Sequence, residues 1–454
     1  MQHVAVIDFG KTNVKVALVD IPSMAEIAVH RIANAVDPSG PYPHYRTGEH
    51  WDFITGALAE LALTHTIDAL SITTHGATAA LVDAAGDPVL PILDYEHAFD
   101  PGDYDTHRPA FAETGSPRLG MGLNLGAQLY WQFRTFPEAA RVAHILTYPQ
   151  YWAMRLTGIR AAEPTSLGCH TDLWRPATGD FSALVDRMGW RRLMPPVRHA
   201  ADRLGPVLPE IAAQLGLPPG TPVTCGIHDS NASLYPYLAT RPSPFTVVST
   251  GTWVVCMAAG ARPAALDPAR DVLINVDAFG HPVPSARFMG GREYERIRRG
   301  RTLATDAAAI EDVLNRRIML LPAVESASGP FRGMTARWVG PPADARREAA
   351  ALSFYLALMT AECLFMIGAD GPTIVEGPFA SNPEYIDMLH AATGRAVEAA
   401  AHGSTGTALG AALLAVSGAN IPSPAAPPPM RKTGNHEALC AYARIWRQLI
   451  WQEQ

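Results

Sequence analysis

The chain has 454 residues, more than a single hydrophobic core sustains, so two domains are expected. Hydrophobic residues make up 48% and charged residues 17%, a balance that suits a well-packed soluble globule and argues against a disordered chain. A net charge of −7 argues against a nucleic-acid backbone as the main partner, because phosphates require a basic surface.

In chain order, the largely apolar residues 3–7 precede Asp8-Phe-Gly-Lys-Thr-Asn-Val-Lys15, which leads into Val14-Lys-Val-Ala-Leu-Val19. β-branched residues around a turn with glycine and small polar residues predict strand, turn, strand. Residues 32–47 read as a loop or ribbon, 53–63 as an amphipathic helix, and 69–73 as a buried strand ending at His75-Gly76. Strands are expected at 79–83 and 88–93 around a turn, and helices at 125–136, 138–143 and 148–156. The strand 221–225 leads into Gly226-Ile-His-Asp-Ser230, after which 234–238 continues as a helix. Arg241-Pro-Ser-Pro244 is a stiff break, placing the domains at 1–240 and 241–454.

Beyond it the opening design returns: 245–248, the turn Ser249-Thr-Gly-Thr-Trp253, then Val254-Val-Cys-Met257. Such a duplication is what two related domains leave. Residues 349–369 approach the length of a bilayer span, but Glu362 near the middle would be costly in lipid, so a buried helix is expected. Most arginines of 287–301 read as a solvated helix face, 421–429 as a Pro-rich connector, and 436–451 as a terminal amphipathic helix. Five scattered cysteines, with no Cys-x-x-Cys, fit reduced thiols in a cytoplasmic protein rather than structural zinc. The N-terminus shows no basic stretch followed by an apolar one, so no signal peptide is expected.

Two hairpins that each offer glycine, hydroxyls and free backbone N–H groups can grip a polyphosphate. No Gly-x-x-x-x-Gly-Lys-Ser/Thr is present, which excludes a P-loop, and Gly120-Met-Gly-Leu-Asn-Leu-Gly126 misses the third glycine of a dinucleotide fingerprint. Asp229 lies among small and apolar residues, where a carboxylate can act as a general base on an alcohol. A helix N-cap is its plainer reading, and both roles can hold together.

These segments resemble the FGGY family of carbohydrate kinases, over nearly the whole chain. The resemblance implies an α/β fold of two actin-like (ribonuclease H-like) ATPase domains with a central cleft, sugar and phosphates on the first, adenine nucleotide on the second. It implies that Asp8 orders Mg²⁺, commonly through water. ATP is then held by Gly10, Lys11, Thr12, Asn13 and Lys15 together with Thr250, Gly251 and Thr252. Gly377 and Asn382, in Val375-Glu-Gly-Pro-Phe-Ala-Ser-Asn382, correspond to the adenosine end, with Pro378 in place of a usual second glycine. Ala392-Thr-Gly-Arg-Ala-Val397 and Gly403-Ser-Thr-Gly-Thr-Ala-Leu-Gly410 complete the C-terminal pattern. The sugar is expected at His75, Gly76, Asp94, His228 and Asp229, with Asp229 as base; Met289-Gly-Gly-Arg-Glu293 resembles a further segment of the sugar cleft. Cys169-His-Thr-Asp172 reads as architecture.

The function so implied is ATP- and Mg²⁺-dependent phosphorylation of the primary hydroxyl of a ketose, L-fuculose or L-rhamnulose. A pentulose kinase (xylulose or ribulose) and a catalytically silent actin-like sugar sensor are the alternatives. The expected partner is a small-molecule sugar, with neither nucleic acid nor membrane involved, and a homodimer is allowed.

Overall fold

The N-terminal turn predicted from the sequence forms between strands His3–Phe9 and Asn13–Asp20, which pair antiparallel with Asp8 opposite Lys15. They belong to a computed structural model that describes residues 1–400, 406–416, 421 and 434–452. Contacts divide the chain into two units. The first comprises Met1–Arg241, Ile274–Pro282 and Gly403–Pro424, of which 406–416 and 421 are described; the second holds the remainder.

In the first unit the sheet runs Arg203–Pro206, Pro222–Thr224, Ala69–Thr74, His3–Phe9, Asn13–Asp20, Ala25–Ala33, and Ile227–His228 also pairs with Ala69–Thr74. Ala69–Thr74 is fully buried, as its run of small and β-branched residues requires of a parallel strand covered on both faces. It runs parallel to His3–Phe9 on one side and to Ile227–His228 on the other, with Phe9, Thr74 and His228 in register. The carboxyl ends of these three strands therefore lie side by side, the usual place for a ligand site in an open α/β sheet. Helix Asp229–Thr240 starts directly from the last of them. Helix Thr407–Leu413 packs on it so closely that a Cβ at Gly410 would lie 1.7 Å from the Ala232 carbonyl oxygen, so only glycine fits.

The second unit repeats the pattern. Strands Phe245–Thr250 and Val254–Ala259 form an antiparallel hairpin, and Thr373–Glu376 runs parallel beside the first of them. Its longest helix, Ala345–Met366, is capped by Asp344, whose carboxylate accepts from the N–H groups of Arg346 and Arg347 at 3.0 Å. This helix is long and apolar enough to cross a membrane, but 89% of its apolar window is buried in the protein. Its Glu362 is neutralised by Arg447 at 2.8 Å, from helix His436–Trp451.

Several expectations are corrected. Residues 88–93 form no continuous strand: the expected return to Ala79–Val82 is kept only as the Val82–Pro88 bridge and the Val89 N–H bond to the Leu81 carbonyl at 2.8 Å, and the regular partner of Ala79–Val82 is His144–Thr147. The loop expected from residue 32 begins later, since Ala25–Ala33 is an edge strand whose exposed face hides the usual alternation. The helix expected at 138–143 is one 3₁₀ segment, Pro137–Arg141. A single cut near residue 241 does not describe the units, because Ile274–Pro282 and the helix Thr407–Leu413 contact the first. The connector at 421–429 lies, beyond Ile421, outside the described residues, as do residues 403–405.

Candidate active site

Asp8, His75 and Asp229 follow from the register of the three parallel strands. Asp8 is the penultimate residue of its strand, His75 directly follows Ala69–Thr74, and Asp229 directly follows Ile227–His228. The His75 N–H donates to the Phe9 carbonyl at 2.8 Å, extending the pairing one residue past the strand.

Asp8 is mostly buried and lies 3.4 Å from the Lys15 ammonium, which also reaches Glu26 at 2.9 Å. Burial pushes the Asp8 carboxyl up to about 6; Lys15 pulls it down, and the charge of Asp229 adds to the upward push. A divalent cation beside such a carboxylate would restore its ionised form, so Asp8 fits a Mg²⁺-ordering role. The turn itself is braced from within: Gly10 N–H donates to the Asn13 carbonyl at 2.9 Å, and Asn13 Nδ2 donates to Thr12 Oγ1 at 3.0 Å. Asn34, which no sequence pattern marks, closes it from outside by donating its side-chain amide to the Gly10 carbonyl at 2.8 Å.

Lys11 is expected among the phosphate contacts. Its ammonium is instead held by Asp94 and, at 3.2 Å, by Glu96, and it sits 4.8 Å from the Tyr95 ring centroid. Asp94 also accepts from the Tyr45 hydroxyl at 3.2 Å, so Lys11 joins the residues expected to meet the sugar. Tyr45, Tyr95 and Tyr148 surround the His75 imidazole at 5.1–5.4 Å between ring centroids. In that apolar box burial depresses the His75 pKa to about 4, so the ring is neutral at physiological pH.

Asp229 is half-buried, and burial raises its pKa, opposed by His75 and by hydrogen bonds from Ser230. Its Oδ1 accepts from Ser230 N–H at 2.6 Å and from the Ser230 hydroxyl at 3.2 Å, and lies 3.1 Å from His228 Nε2. All three contacts fall on one oxygen, which among the described residues leaves Oδ2 for a substrate hydroxyl. The plainer N-cap reading does not hold: His228 occupies the cap, and Asp229 is the first helical residue. Gly76 is confined by the same group, since a Cβ there would come within 3.0 Å of both Cys169 Sγ and His228 Nε2.

In the second unit, Thr250, Gly251 and Thr252 form the turn between the hairpin strands. Thr250 Oγ1 accepts from Phe379 N–H at 3.1 Å and donates to the Glu376 carbonyl, tying the hairpin to the end of Thr373–Glu376. Gly377 has φ 78° and ψ −162°, and a Cβ on it would lie 2.0 Å from the Thr250 carbonyl oxygen. A Cβ on Gly291 would lie 2.1 Å from the Gly251 carbonyl oxygen. This cradle, which any side chain would fill, borders a cavity of about 620 Å³ lined by Gly251, Thr252, Arg292, Tyr294, Pro378 and Asn382. The volume suits a nucleoside. Asn382 caps helix Pro383–Thr393, accepting from Tyr385 N–H at 3.0 Å and donating to Ser353 Oγ at 2.9 Å. Of the segment Met289–Glu293, expected on the sugar side, Gly291 and Arg292 line this cavity, because the close approach of Gly291 to Gly251 draws them onto the second turn.

Residues 242–424 match the family described as "Carbohydrate kinase FGGY, C-terminal domain". The L-fuculokinase of Salmonella typhi is 27% identical over 271 residues, covering 56% of each protein, so the chain spans only about half the length of that curated relative. The solved structure of a xylulose kinase from Rhodospirillum rubrum superposes with a TM-score of 0.78 at 19% identity, over 99% of this chain and 98% of that one, a likeness of fold. That of a carbohydrate kinase from Novosphingobium aromaticivorans superposes with a TM-score of 0.91 at 34% identity, over 99% of both chains. With likeness of that depth along its whole length, and with two phosphate-type turns on duplicated actin-like sheets, the chain belongs to the FGGY family of carbohydrate kinases.

Proposed function

We propose that the protein transfers the γ-phosphoryl group of ATP to the primary hydroxyl of a ketose, with L-fuculose as the first candidate and L-rhamnulose as the second. The observation that carries the reading is Asp229, whose Oδ1 is engaged by Ser230 and His228 while, among the described residues, Oδ2 is not, near Asp8 at the carboxyl ends of parallel strands. Oδ2 takes the hydroxyl proton as the sugar oxygen bonds to the γ-phosphorus; the bond to the β-phosphate oxygen breaks, and ADP leaves. When bound, Mg²⁺ neutralises charge on the phosphates, and Asp8 orders it. The turns at Gly10–Asn13 and Thr250–Thr252 supply backbone donors to the phosphates, and the cavity beside Gly377 and Asn382 takes the adenosine. Lys11 and Asp94 orient the sugar, with His75 held neutral as a hydrogen-bonding partner rather than a cation. The choice of L-fuculose is supported by likeness to L-fuculokinase over part of the chain.

A coupled ADP-release screen over ketoses, with and without Mg²⁺, tests the proposal. Sugar-dependent ADP release that requires Mg²⁺ and is greatest for a 6-deoxyketose is expected. ADP release that no ketose stimulates would overturn it in favour of a silent sugar sensor.

A further inference from the structure

The base is held by a histidine, and the histidine is held in turn by a residue that no functional motif marks. Asn231 is completely buried in the first turn of helix Asp229–Thr240, and its side-chain amide lies 3.2 Å from His228 Nδ1. The other ring nitrogen, Nε2, lies 3.1 Å from Asp229 Oδ1 and 3.4 Å from Cys169 Sγ. Burial depresses the His228 pKa to about 4, so the ring carries one proton at neutral pH.

Where that proton sits decides whether His228 holds or repels the base. Two lone pairs 3.1 Å apart repel, so an ionised Asp229 requires the proton on Nε2. Nδ1 is then an acceptor, and the amide nitrogen of Asn231 is the donor within reach of it. The backbone is fixed as well: His228 N–H donates to Thr165 Oγ1 at 3.0 Å, and that hydroxyl donates to the buried Glu163 at 2.6 Å. Main chain and ring are thus anchored separately, and the ring's anchor is Asn231. Besides His228 and Ser230, the charged or titratable groups acting on Asp229 among the described residues are Asp8 from the first strand, His75 just after the strand Ala69–Thr74, and Tyr95 just after Asp94.

We infer that Asn231 is a positioning residue for the reaction: it fixes the His228 tautomer whose Nε2–H aims the Asp229 carboxylate. This rests on Asp229 being the base, and the test separates the two ideas. In the full-length protein labelled with ¹⁵N-histidine, with His228 assigned by comparison with His228→Gln, the ring nitrogens report the tautomer directly. The wild type is expected to carry its proton on Nε2. Asn231→Leu removes the donor, and the near-isosteric Asn231→Asp, which keeps the packing, draws a proton onto Nδ1. Both are expected to change the His228 tautomer or charge and to lower kcat for the ketose found in the screen at least tenfold, with ATP affinity unchanged within about twofold, on a scale where 1.4 kcal/mol is tenfold. A lowered kcat with the tautomer unchanged would mean that Asn231 only packs, and would overturn the inference. So would a changed tautomer with kcat within threefold, or a wild-type proton on Nδ1. If Asp229→Asn is silent while the tautomer responds as expected, the assignment of the base fails and the Asn231–His228 pairing stands.

Discussion

Burial raises the pKa of Asp229, so its proton-accepting form is lost at a higher pH than in an exposed aspartate. A base acts only when deprotonated, so kcat/KM should fall as pH drops through that raised value, by up to tenfold per unit; the rise of Asp8 to about 6 acts in the same direction. A pH–rate profile flat down to about pH 4, where ordinary aspartates titrate, would contradict this. Gly377 allows a cleaner test of the second turn. Its φ and ψ lie in a region reserved for glycine, where another residue costs about 1–3 kcal/mol, and its missing Cβ faces the Thr250 carbonyl at 2.0 Å. Gly377→Ala should therefore lower stability by more than that and weaken ATP binding. Gly394→Ala, at φ 67° with nothing within 4 Å, should cost only about 1–2 kcal/mol and leave ATP binding alone. Equal effects in melting and calorimetry would refute the cradle. At this scale the placement of Asp8, Gly10 and Thr250 beside turns, and of Asp229 after a strand, was legible because turn chemistry writes it into short motifs. Tyr45, Tyr95 and Asn231 were not, since each is one residue brought in by tertiary packing, and Cys169 was read only as architecture.

Strands and helices were legible where periodicity and end signals agreed, as at Ala345–Met366 and His436–Trp451. They failed where a strand lay on a sheet edge or an apolar run was short, as at Ala25–Ala33 and 88–93. Helix Gly290–Arg298 carries Glu293, completely buried, with Oε1 accepting from Glu325 N–H at 3.0 Å. Burial raises its pKa from 4.5 to about 7, so between those values the folded state binds more protons than the unfolded one. Stability from this group is full below about pH 4.5 and is lost as pH rises through about 7. Glu293→Gln should flatten that part of the stability–pH curve, read as melting temperature against pH; an unchanged slope would refute the assignment. Glu362 is the complementary case, a buried carboxylate paired with a half-exposed arginine. Arg447→Ala should destabilise by about 1–3 kcal/mol, the cost of an unsatisfied buried group, and Arg447→Ala with Glu362→Gln should recover part of it. A double variant no more stable than Arg447→Ala would show that the pair is not the cause.

Across the whole chain the duplication was legible, because an antiparallel hairpin followed by a parallel neighbour leaves the same strand–turn–strand signature twice. The return of Ile274–Pro282 and Thr407–Leu413 to the first unit was not, since a glycine such as Gly410 announces close packing but not its partner. On this duplicated scaffold Asp229 is the proposed base for phosphoryl transfer to a sugar. Asp229→Asn tests it most directly, because the amide keeps the size of the carboxylate and removes its basicity. The account predicts that kcat for the preferred ketose falls by about 10²–10⁴-fold, while ATP affinity by calorimetry is unchanged. A variant that keeps kcat within threefold would contradict it.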